Sequence, residues 1–343
     1  MVNMLRLGIV GCGGIATDVH IPNWLALKDR VRLFAVCDQN ENLSKQTAKK
    51  FGIDRSYKNL SDMLDAENLD IVDICTPPQT HAALAIDAMN AGCNVITEKP
   101  MALSTEEADK IIAASEKNKV KFCIVHNFLF EPMFQEAKHL AESGLIGELR
   151  GVESEMSIVG TYLQKGHWVH DLPGGIFSEL APHPIYLSLE FLENIHSVHA
   201  IFKKFCSFPW VAADEIRAIL EAKNGLGTIA VSCGSTKNVL TFGIFGTRKM
   251  LKLDYATMTP FEYGNRMESW ISINKSVVRH SVNCLLGRSG KWRSRGHLHL
   301  FQRFIESIHH DSDPPVTGHE GRETIRILEM VLKQMKLDMQ SET

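Results

Sequence analysis

A short apolar segment that runs directly into a glycine-rich turn constrains the fold of this chain more than any other feature. Residues Leu5–Val10 predict a buried strand. The turn that follows consists of Gly11, Cys12, Gly13, Gly14, Ile15 and Ala16. This is the G-x-G-x-x-A form of the strand–turn–helix fingerprint that binds a dinucleotide. In that fingerprint Gly11 makes the tight turn, Gly13 lets the backbone approach a pyrophosphate, and Ala16 allows close helix–strand packing.

An acidic residue follows the next predicted strand, as the fingerprint requires. Val31–Cys37 predicts that strand, and Asp38 at its end lies about 20 residues beyond the turn, the spacing of a carboxylate that holds ribose hydroxyls. Its charge would repel a 2′-phosphate, and no arginine occurs in Gln39–Glu41. We therefore expect NAD(H) to be preferred over NADP(H). The alternative is a glycine turn in an unrelated α/β protein.

The rest of the first third alternates helix and strand patterns. Helices are predicted at 41–51, 61–66, 80–91 and 105–118, and strands at 71–75, 94–97 and 120–125. Repeated β–α units of this length imply a doubly wound parallel sheet with right-handed crossovers. After about residue 124 alternating apolar runs and turn signals favour an antiparallel sheet, with helices at the end of the chain. We expect an α/β protein with a Rossmann domain at 1–124 and an α+β domain at 125–343.

Composition excludes several classes of protein. The length of 343 residues suggests two domains at roughly 150 residues each, and 44% hydrophobic residues with 22% charged residues are ordinary for a globular protein. The net charge of −3 is spread evenly, which argues against a nucleic-acid partner. No apolar run reaches the roughly eighteen residues that a membrane span requires. The N-terminus lacks a signal-peptide pattern, and the eight cysteines form no C-x-x-C pair. We expect a cytoplasmic protein with reduced core thiols and no membrane partner.

Two further polar segments follow predicted strands of the first domain. They contain Thr76, Pro77 and His81 in one case, and Glu98, Lys99 and Pro100 in the other. Ligands of an open parallel sheet bind beyond the carboxyl ends of its strands, so both segments are expected near the nicotinamide end of the cofactor site. A lysine held there can donate a hydrogen bond to a substrate oxygen. Taken alone, the second segment is more typical of a charged surface turn.

These motifs together resemble the Gfo/Idh/MocA family of NAD(P)-dependent oxidoreductases. The resemblance rests, in family order, on GCGGIA at 11–16, Asp38, TPPQTH at 76–81, AGCNVITEKP at 91–100, ESGLIGEL at 142–149 and PGGIFSELAPHPIYL at 173–187. It covers essentially the whole chain. It implies an N-terminal Rossmann domain and a C-terminal domain with an open, largely antiparallel sheet. In the family this sheet commonly forms the interface of a homo-oligomer, here expected to be a dimer or tetramer.

The resemblance also assigns roles to individual residues. It implies that Lys99 and His183 form an acid/base pair and that Glu179 orients or polarises them. Asn127 and His170 are candidate substrate contacts, together with the three residues just named. Without the family pattern, His183 is more typical of a helix-start histidine that bonds to backbone, and His170 is equally typical of a surface loop.

The chain departs from the family pattern at three positions. The usual aspartate is the longer Glu179, the first glycine of the usual triplet is Pro173, and Tyr186 stands where an aspartate often follows the histidine. Prolines on both sides of His183 predict a break or kink in the helix there. These changes leave the substrate and the details of proton transfer open.

The resemblance implies hydride transfer between C4 of the nicotinamide and a secondary hydroxyl or ketone. The substrate class is a sugar, a cyclitol or a nucleotide-sugar. Two alternatives from other classes stay open at this stage. One is a non-catalytic NAD-binding regulator of the same fold. The other is an NAD-dependent glycoside hydrolase, in which hydride transfer is internal.

Three segments rich in basic residues or histidine lie outside these motifs. His297-x-His299 and His309-His310-Asp311 lack a third ligand at sensible spacing, so we interpret them as helix surface or turn and expect no metal site. The segment 271–305 contains seven basic residues and no acidic one. It is typical of a solvated loop or an oligomer contact. The sharper alternative is an anion site for a phosphate-bearing substrate, and a membrane-surface helix is the third.

Overall fold

A six-stranded parallel sheet organises the first part of the chain in the computed structural model, which describes residues 4–235, 238–255, 259–285 and 295–341. The strands are β1 (Leu5–Val10), β2 (Val31–Cys37), β3 (Arg55–Tyr57), β4 (Ile71–Ile74), β5 (Asn94–Thr97) and β6 (Phe122–Ile124). Their order is β3-β2-β1-β4-β5-β6. This is the doubly wound Rossmann order, and it confirms the predicted parallel sheet. All four residues of β4 are buried, as in a strand that is covered on both faces.

Helices connect these strands, and several begin and end at the residues that their caps predict. A π-helical stretch, Ala16–His20, continues as α1 (Ile21–Ala26). The helices that follow are α2 (Glu41–Phe51), α3 (Leu60–Ala66), α4 (His81–Asn90) and α5 (Thr105–Asn118). The Asn40 side chain accepts the Leu43 N–H at the start of α2, and Ser104 accepts the Glu107 N–H at the start of α5.

A seven-stranded mixed sheet organises the second part of the chain. Its strands are β7 (Leu149–Val159), β8 (Ser197–Lys203), β9 (Glu215–Ala222), β10 (Gly225–Ser235), β11 (Val239–Gly246), β12 (Met250–Asp254) and β13 (Thr259–Tyr263). The order is β13-β12-β11-β7-β10-β9-β8. All neighbours are antiparallel except β7 and β10, which are parallel. The mostly antiparallel sheet is as predicted, although the sequence pattern predicts neither β13 nor the three-residue β3.

The helices of this second part are α6 (Pro132–Glu142), α7 (Ile176–Leu180), α8 (Pro182–Leu189) and α9 (Arg266–Leu285). Helix α7 ends at Leu180 and α8 begins at Pro182, which confirms the predicted break beside His183. Pro182 occupies the first turn of α8, where a missing N–H costs nothing.

Two helices close the chain, α10 (Arg295–His310) and α11 (Gly318–Ser341). By its contacts the chain divides into two compact units, Met1–Asn127 with Arg293–Ile325, and Phe128–Trp292 with Arg326–Thr343. The sequence predicts one boundary, at residue 124, whereas 293–325 group with the parallel sheet. The reason is apolar packing, since Phe301 on α10 is buried and stacks on Trp24 with ring centroids 4.1 Å apart.

Three remaining predictions concern thiols, membranes and the basic segment. Free thiols are found at cysteines 12, 37, 75, 93, 123, 206 and 233, and all of these but the half-buried Cys206 are buried, as expected of core thiols. Within the described ranges, no helix is both long and apolar enough to cross a bilayer. Residues 286–294 of the basic segment lie outside the described residues. On α9, Lys275 is exposed, as are apolar side chains such as Trp270 and Val278.

Candidate active site

The glycine turn after β1 has the backbone that its residues predict. Gly11 has a φ of 94°, and a Cβ added there would lie 2.7 Å from the carbonyl carbon of Cys75, so only glycine fits. Gly13 differs, because a Cβ there would meet no heavy atom within 4 Å. Its missing side chain leaves open space at the turn, which suits close approach of a pyrophosphate. Gly14 and Ile15 are exposed beside it, and Ala16 is fully buried.

Asp38 bonds directly to this turn from the end of β2. Its Oδ2 accepts the backbone N–H of Cys12 at 2.8 Å, and its Oδ1 accepts the N–H of Asn40 at 2.8 Å. The half-buried carboxylate is therefore held beside the glycine turn by two backbone donors. This is the location that the sequence predicts for a group that binds ribose hydroxyls.

The predicted cofactor and substrate residues of the first unit share one edge of the parallel sheet. The glycine turn follows β1, and Asp38 follows β2. Thr76 and Pro77 follow β4, Glu98 and Lys99 follow β5, and Asn127 follows β6. Because neighbouring strands are parallel, all these segments lie at the carboxyl ends. Lys99 is only 9% exposed, so Glu98-Lys99-Pro100 is not the charged surface turn that it resembles in isolation. The peptide bond between Lys99 and Pro100 is cis.

His81 connects two of these segments through its ring. Its Nδ1 lies 2.8 Å from the carbonyl oxygen of Pro100, and its Nε2 lies 2.7 Å from that of Thr76. Burial lowers the pKa of His81, although both carbonyl partners favour the protonated ring. The fully buried ring thus lies between the turn after β4 and the turn after β5.

A buried polar cluster behind Glu98 was not predicted. It contains His20, Trp24, Asp73, Cys75 and His297, and His20 lies at its centre. The members come from distant parts of the sequence, and no local pattern marks them. A buried histidine just after the fingerprint and an aspartate inside an apolar strand are the signals that the sequence offers.

The structure corrects our interpretation of His297 as a helix-surface residue. It is 5% exposed, and its Nε2 lies 3.8 Å from the Glu98 carboxylate, because α10 packs against α1 through the stack of Phe301 on Trp24. His20, Glu98 and His297 form one cluster with metal-ligand chemistry, and His20, Asp73 and Cys75 form another. However, each ring nitrogen of His20 lies within hydrogen-bond distance of a carboxylate, which satisfies these groups without an ion.

In the second unit, His183 lies in the first turn of α8 with a buried side chain. Its Nδ1 is 2.8 Å from the hydroxyl oxygen of Tyr186, and the same oxygen accepts the backbone N–H of Phe128 at 3.3 Å. The Phe128 ring also packs edge-on against the imidazole, with centroids 4.9 Å apart. Tyr186 therefore provides the hydrogen-bond partner at the position where the family often has an aspartate.

The turn before α7 explains how Pro173 is tolerated. Positive φ angles occur at Gly174 (76°) and Gly175 (60°), so two glycines are sufficient for this turn. A Cβ at Gly174 would also lie 2.2 Å from a methyl carbon of Leu332. Glu179 follows on α7 and is half-buried.

Two other polar residues of the second unit complete the picture. His170 is half-buried in the 3₁₀ turn Trp168–Asp171, and its Nε2 lies 3.1 Å from the carbonyl oxygen of Gln164. Tyr255, which sequence reasoning did not select, has a fully buried hydroxyl without a hydrogen-bond partner among the described residues. Burial and the charge of Glu131 raise the pKa of Tyr255 well above its usual range.

Comparison with known proteins gives consistent matches along the chain. Residues 5–126 match the Gfo/Idh/MocA oxidoreductase family, NAD-binding Rossmann fold, and residues 134–252 match the Gfo/Idh/MocA C-terminal domain. Oxidoreductase P35 of Formosa agariphila is 26% identical over 269 residues, which are 76% of this chain and 82% of that protein. Myo-inositol 2-dehydrogenase of Thermotoga maritima is 30% identical over 144 residues, 42% of each chain.

The fold is also that of a solved structure. The WlbA dehydrogenase from Bordetella pertussis, in complex with NADH and UDP-GlcNAcA, superposes with a TM-score of 0.82 at 22% sequence identity. The match covers 97% of this chain and 96% of that one. With both family domains matched in order and the sheet-edge residues in place, the chain belongs to the Gfo/Idh/MocA family of oxidoreductases.

Proposed function

We propose that this protein is an NAD-dependent dehydrogenase that acts on a secondary hydroxyl, or in reverse a ketone, of a sugar, cyclitol or nucleotide-sugar. One observation carries the proposal. Lys99 is buried at the carboxyl end of β5, on the same sheet edge as the glycine turn and Asp38. The names of the relatives, which include an inositol dehydrogenase and a dehydrogenase bound to a nucleotide-sugar, support the substrate class. A cytoplasmic location, which the free thiols support, is part of this proposal.

The first unit would hold the dinucleotide through the residues at this edge. The glycine turn, including Gly14 and Ile15, would receive the pyrophosphate, and Asp38 the ribose hydroxyls. Thr76, Pro77, Glu98 and Lys99 would line the nicotinamide end. His81 would contribute by packing between the turns that carry Thr76 and Pro100. When bound, the cofactor supplies the hydride acceptor or donor, and the protein supplies geometry and proton transfer.

We assign the proton transfer to Lys99 and His183. Lys99 has donors and no acceptor while charged, so it suits hydrogen bonding to the developing alkoxide or to the ketone oxygen. His183 Nδ1 lies 2.8 Å from the Tyr186 hydroxyl, which orients the imidazole that would exchange a proton with substrate. Glu179 would orient or polarise this pair, and Asn127 and His170 would contact substrate.

The test is a screen of NAD⁺ reduction and NADH oxidation across polyols, cyclitols, sugars and nucleotide-sugars, with NADP⁺ in parallel. We expect turnover with at least one substrate and a preference for NAD⁺, because Asp38 repels a 2′-phosphate. A preference for NADP⁺ would refute the interpretation of Asp38. NADH binding without any turnover would favour a regulator, and sugar release without net NADH would identify a glycoside hydrolase.

We also propose that the second unit forms a homo-oligomer through its sheet. Along β8 and β9 alternate side chains are buried, and the opposite face exposes Ile201 and Ile219 at 65% and 47%. Leu226 on β10 is 55% exposed on the neighbouring strand. Apolar side chains at these positions are typical of an association surface. Light scattering should give a dimer or tetramer that Ile219→Glu dissociates, and a monomeric wild type would contradict this proposal.

A further inference from the structure

His20 lies between two buried carboxylates of the first unit. Its Nδ1 is 2.8 Å from Oδ2 of Asp73 on β4, and its Nε2 is 2.9 Å from Oε1 of Glu98 after β5. The imidazole and Asp73 are both fully buried. An ionised carboxylate can only accept, and a neutral ring has one N–H, so with both carboxylates ionised the two bonds require the doubly protonated imidazolium.

The surroundings favour the same protonation state. Burial alone lowers the pKa of His20, but the charge of Asp73 and the hydrogen bonds to Asp73 and Cys75 raise it well above its usual range. Burial raises the pKa of Glu98, but hydrogen bonds from His20 and His297, with the charges of His20 and Lys99, lower it well below its usual range. Both carboxylates and the imidazolium therefore stabilise one another's charges.

Asp73 lies at the end of this network that is farther along it from Lys99, and other donors fix its carboxylate. Oδ2 of Asp73 also accepts the indole N–H of Trp24 at 2.7 Å, and the Cys75 thiol lies 3.6 Å from Oδ1. Trp24 in turn stacks on Phe301 of α10. Asp73 is thus held by Trp24 of α1 and by Cys75 at the end of its own strand, in addition to His20.

The inner end of the network reaches the proposed catalytic lysine. Oε1 of Glu98 faces His20, and Oε2 accepts the backbone N–H of Lys99 at 3.1 Å. One carboxylate therefore joins the imidazolium to the main chain of Lys99. A shift of Glu98 would move the peptide from which the lysine side chain extends.

We propose that His20, as an imidazolium between Asp73 and Glu98, is a positioning residue that holds the main chain at Lys99 in place for proton transfer. This inference rests on the proposed function, because it assumes that Lys99 acts on substrate. It adds His20, which lies in the helical segment after the glycine turn, to the residues on which that function depends. His20 does not itself touch the reacting atoms in this account.

The protonation state is tested by NMR of protein labelled with ¹⁵N at histidine, with the His20 signals identified by their loss in His20→Gln. The groups that face His20 are Asp73 and Cys75 from β4 and its end, Glu98 from the end of β5, and His297 from α10. We expect both ring nitrogens to be protonated at pH 7.5. A His20 that is neutral at this pH would overturn the proposal.

The positioning role is tested by kinetics with the substrate that the wild type turns over. We expect His20→Gln to lower kcat by roughly ten- to a hundredfold through misplacement of the lysine, with the Kd for NADH changed less than about threefold. Ile111→Ala, which removes a buried side chain of α5 outside the network, is the control for lost stability and should keep its kcat.

Asp73→Asn distinguishes positioning from a structural role, because the variant keeps the shape but removes the charge that holds the imidazole proton. Its kcat should approach that of wild type at acidic pH and fall as pH rises. The pH profile of the wild-type kcat should show no such fall over the same range. Unchanged kcat and pH profile in both variants, while Lys99→Ala is inactive, would overturn the role of His20 and leave the proposed function intact. An active Lys99→Ala would instead refute the proposed function.

Discussion

Two glycines of the same turn have different physical roles, and substitution separates them. Gly11→Ala places a Cβ against the Cys75 carbonyl in a left-handed conformation, so we expect it to cost about 2 kcal/mol or more of the free energy of unfolding. Gly52 also has a positive φ but open space around it, so Gly52→Ala should cost only about 1 kcal/mol. Urea denaturation measures both.

Gly13→Ala should leave stability nearly unchanged and weaken NADH binding instead. A Cβ there meets no protein atom, so stability should change by less than about 0.5 kcal/mol. The same Cβ occupies the space proposed for the pyrophosphate, so the Kd for NADH should rise at least about tenfold, or about 1.4 kcal/mol. Fluorescence titration with NADH decides this, and undiminished affinity would argue against a dinucleotide at this turn.

Tyr186 is the departure from the family pattern with the clearest consequence. A phenol can either donate to His183 Nδ1 or accept from it, whereas a carboxylate only accepts and favours the charged ring. Tyr186→Phe should lower kcat roughly tenfold while NADH affinity stays unchanged. Tyr186→Asp should move the pH limb of kcat due to His183 upward. The same pH profile in wild type and Tyr186→Asp would show that His183 does not carry the proton.

At the scale of elements, the sequence predicts best where a local signal marks the boundary. Strands β1 and β2 and helices α2 and α5 begin and end at the predicted residues, because caps such as Asn40 and Ser104 and apolar alternation act locally. Strand β3 is missed since three residues at a sheet edge carry too little pattern. The network of His20 is missed because its partners lie 53 and 78 residues away, and only the fold brings them together.

The elements that meet at His20 also predict a pH dependence of stability. A histidine whose pKa is raised by folding stabilises the protein fully below its unfolded pKa of about 6.5, and this contribution is lost as pH rises toward the folded pKa. Glu98, whose pKa is lowered, contributes above about pH 4.5 and loses its effect at lower pH.

The difference in unfolding free energy between wild type and His20→Gln should therefore be largest near pH 5 to 6.5 and shrink toward pH 9. Urea denaturation at several pH values measures it, with Ile111→Ala as a control whose difference should not depend on pH. A difference for His20→Gln that grows with pH would mean that His20 is buried in its neutral form.

At the scale of the whole molecule, the sequence predicts both sheets and the family, but not the grouping of 293–325 with the first unit. When a late segment packs with the first unit, no local sequence pattern marks it, because an amphipathic helix such as α10 can pack in either unit. The grouping bears on the proposed role of His20, because α10 brings His297 and Phe301 to the cluster behind Glu98.

The central claim is that Lys99 acts in proton transfer and contributes little to the affinity for the cofactor. The substitution Lys99→Ala tests it most directly. Turnover and NADH binding are measured on the same preparation, with the best substrate from the screen. We predict that kcat falls by roughly a hundredfold or more while the Kd for NADH changes less than about threefold. Equal loss of turnover and NADH binding, or turnover that survives the substitution, would contradict the account.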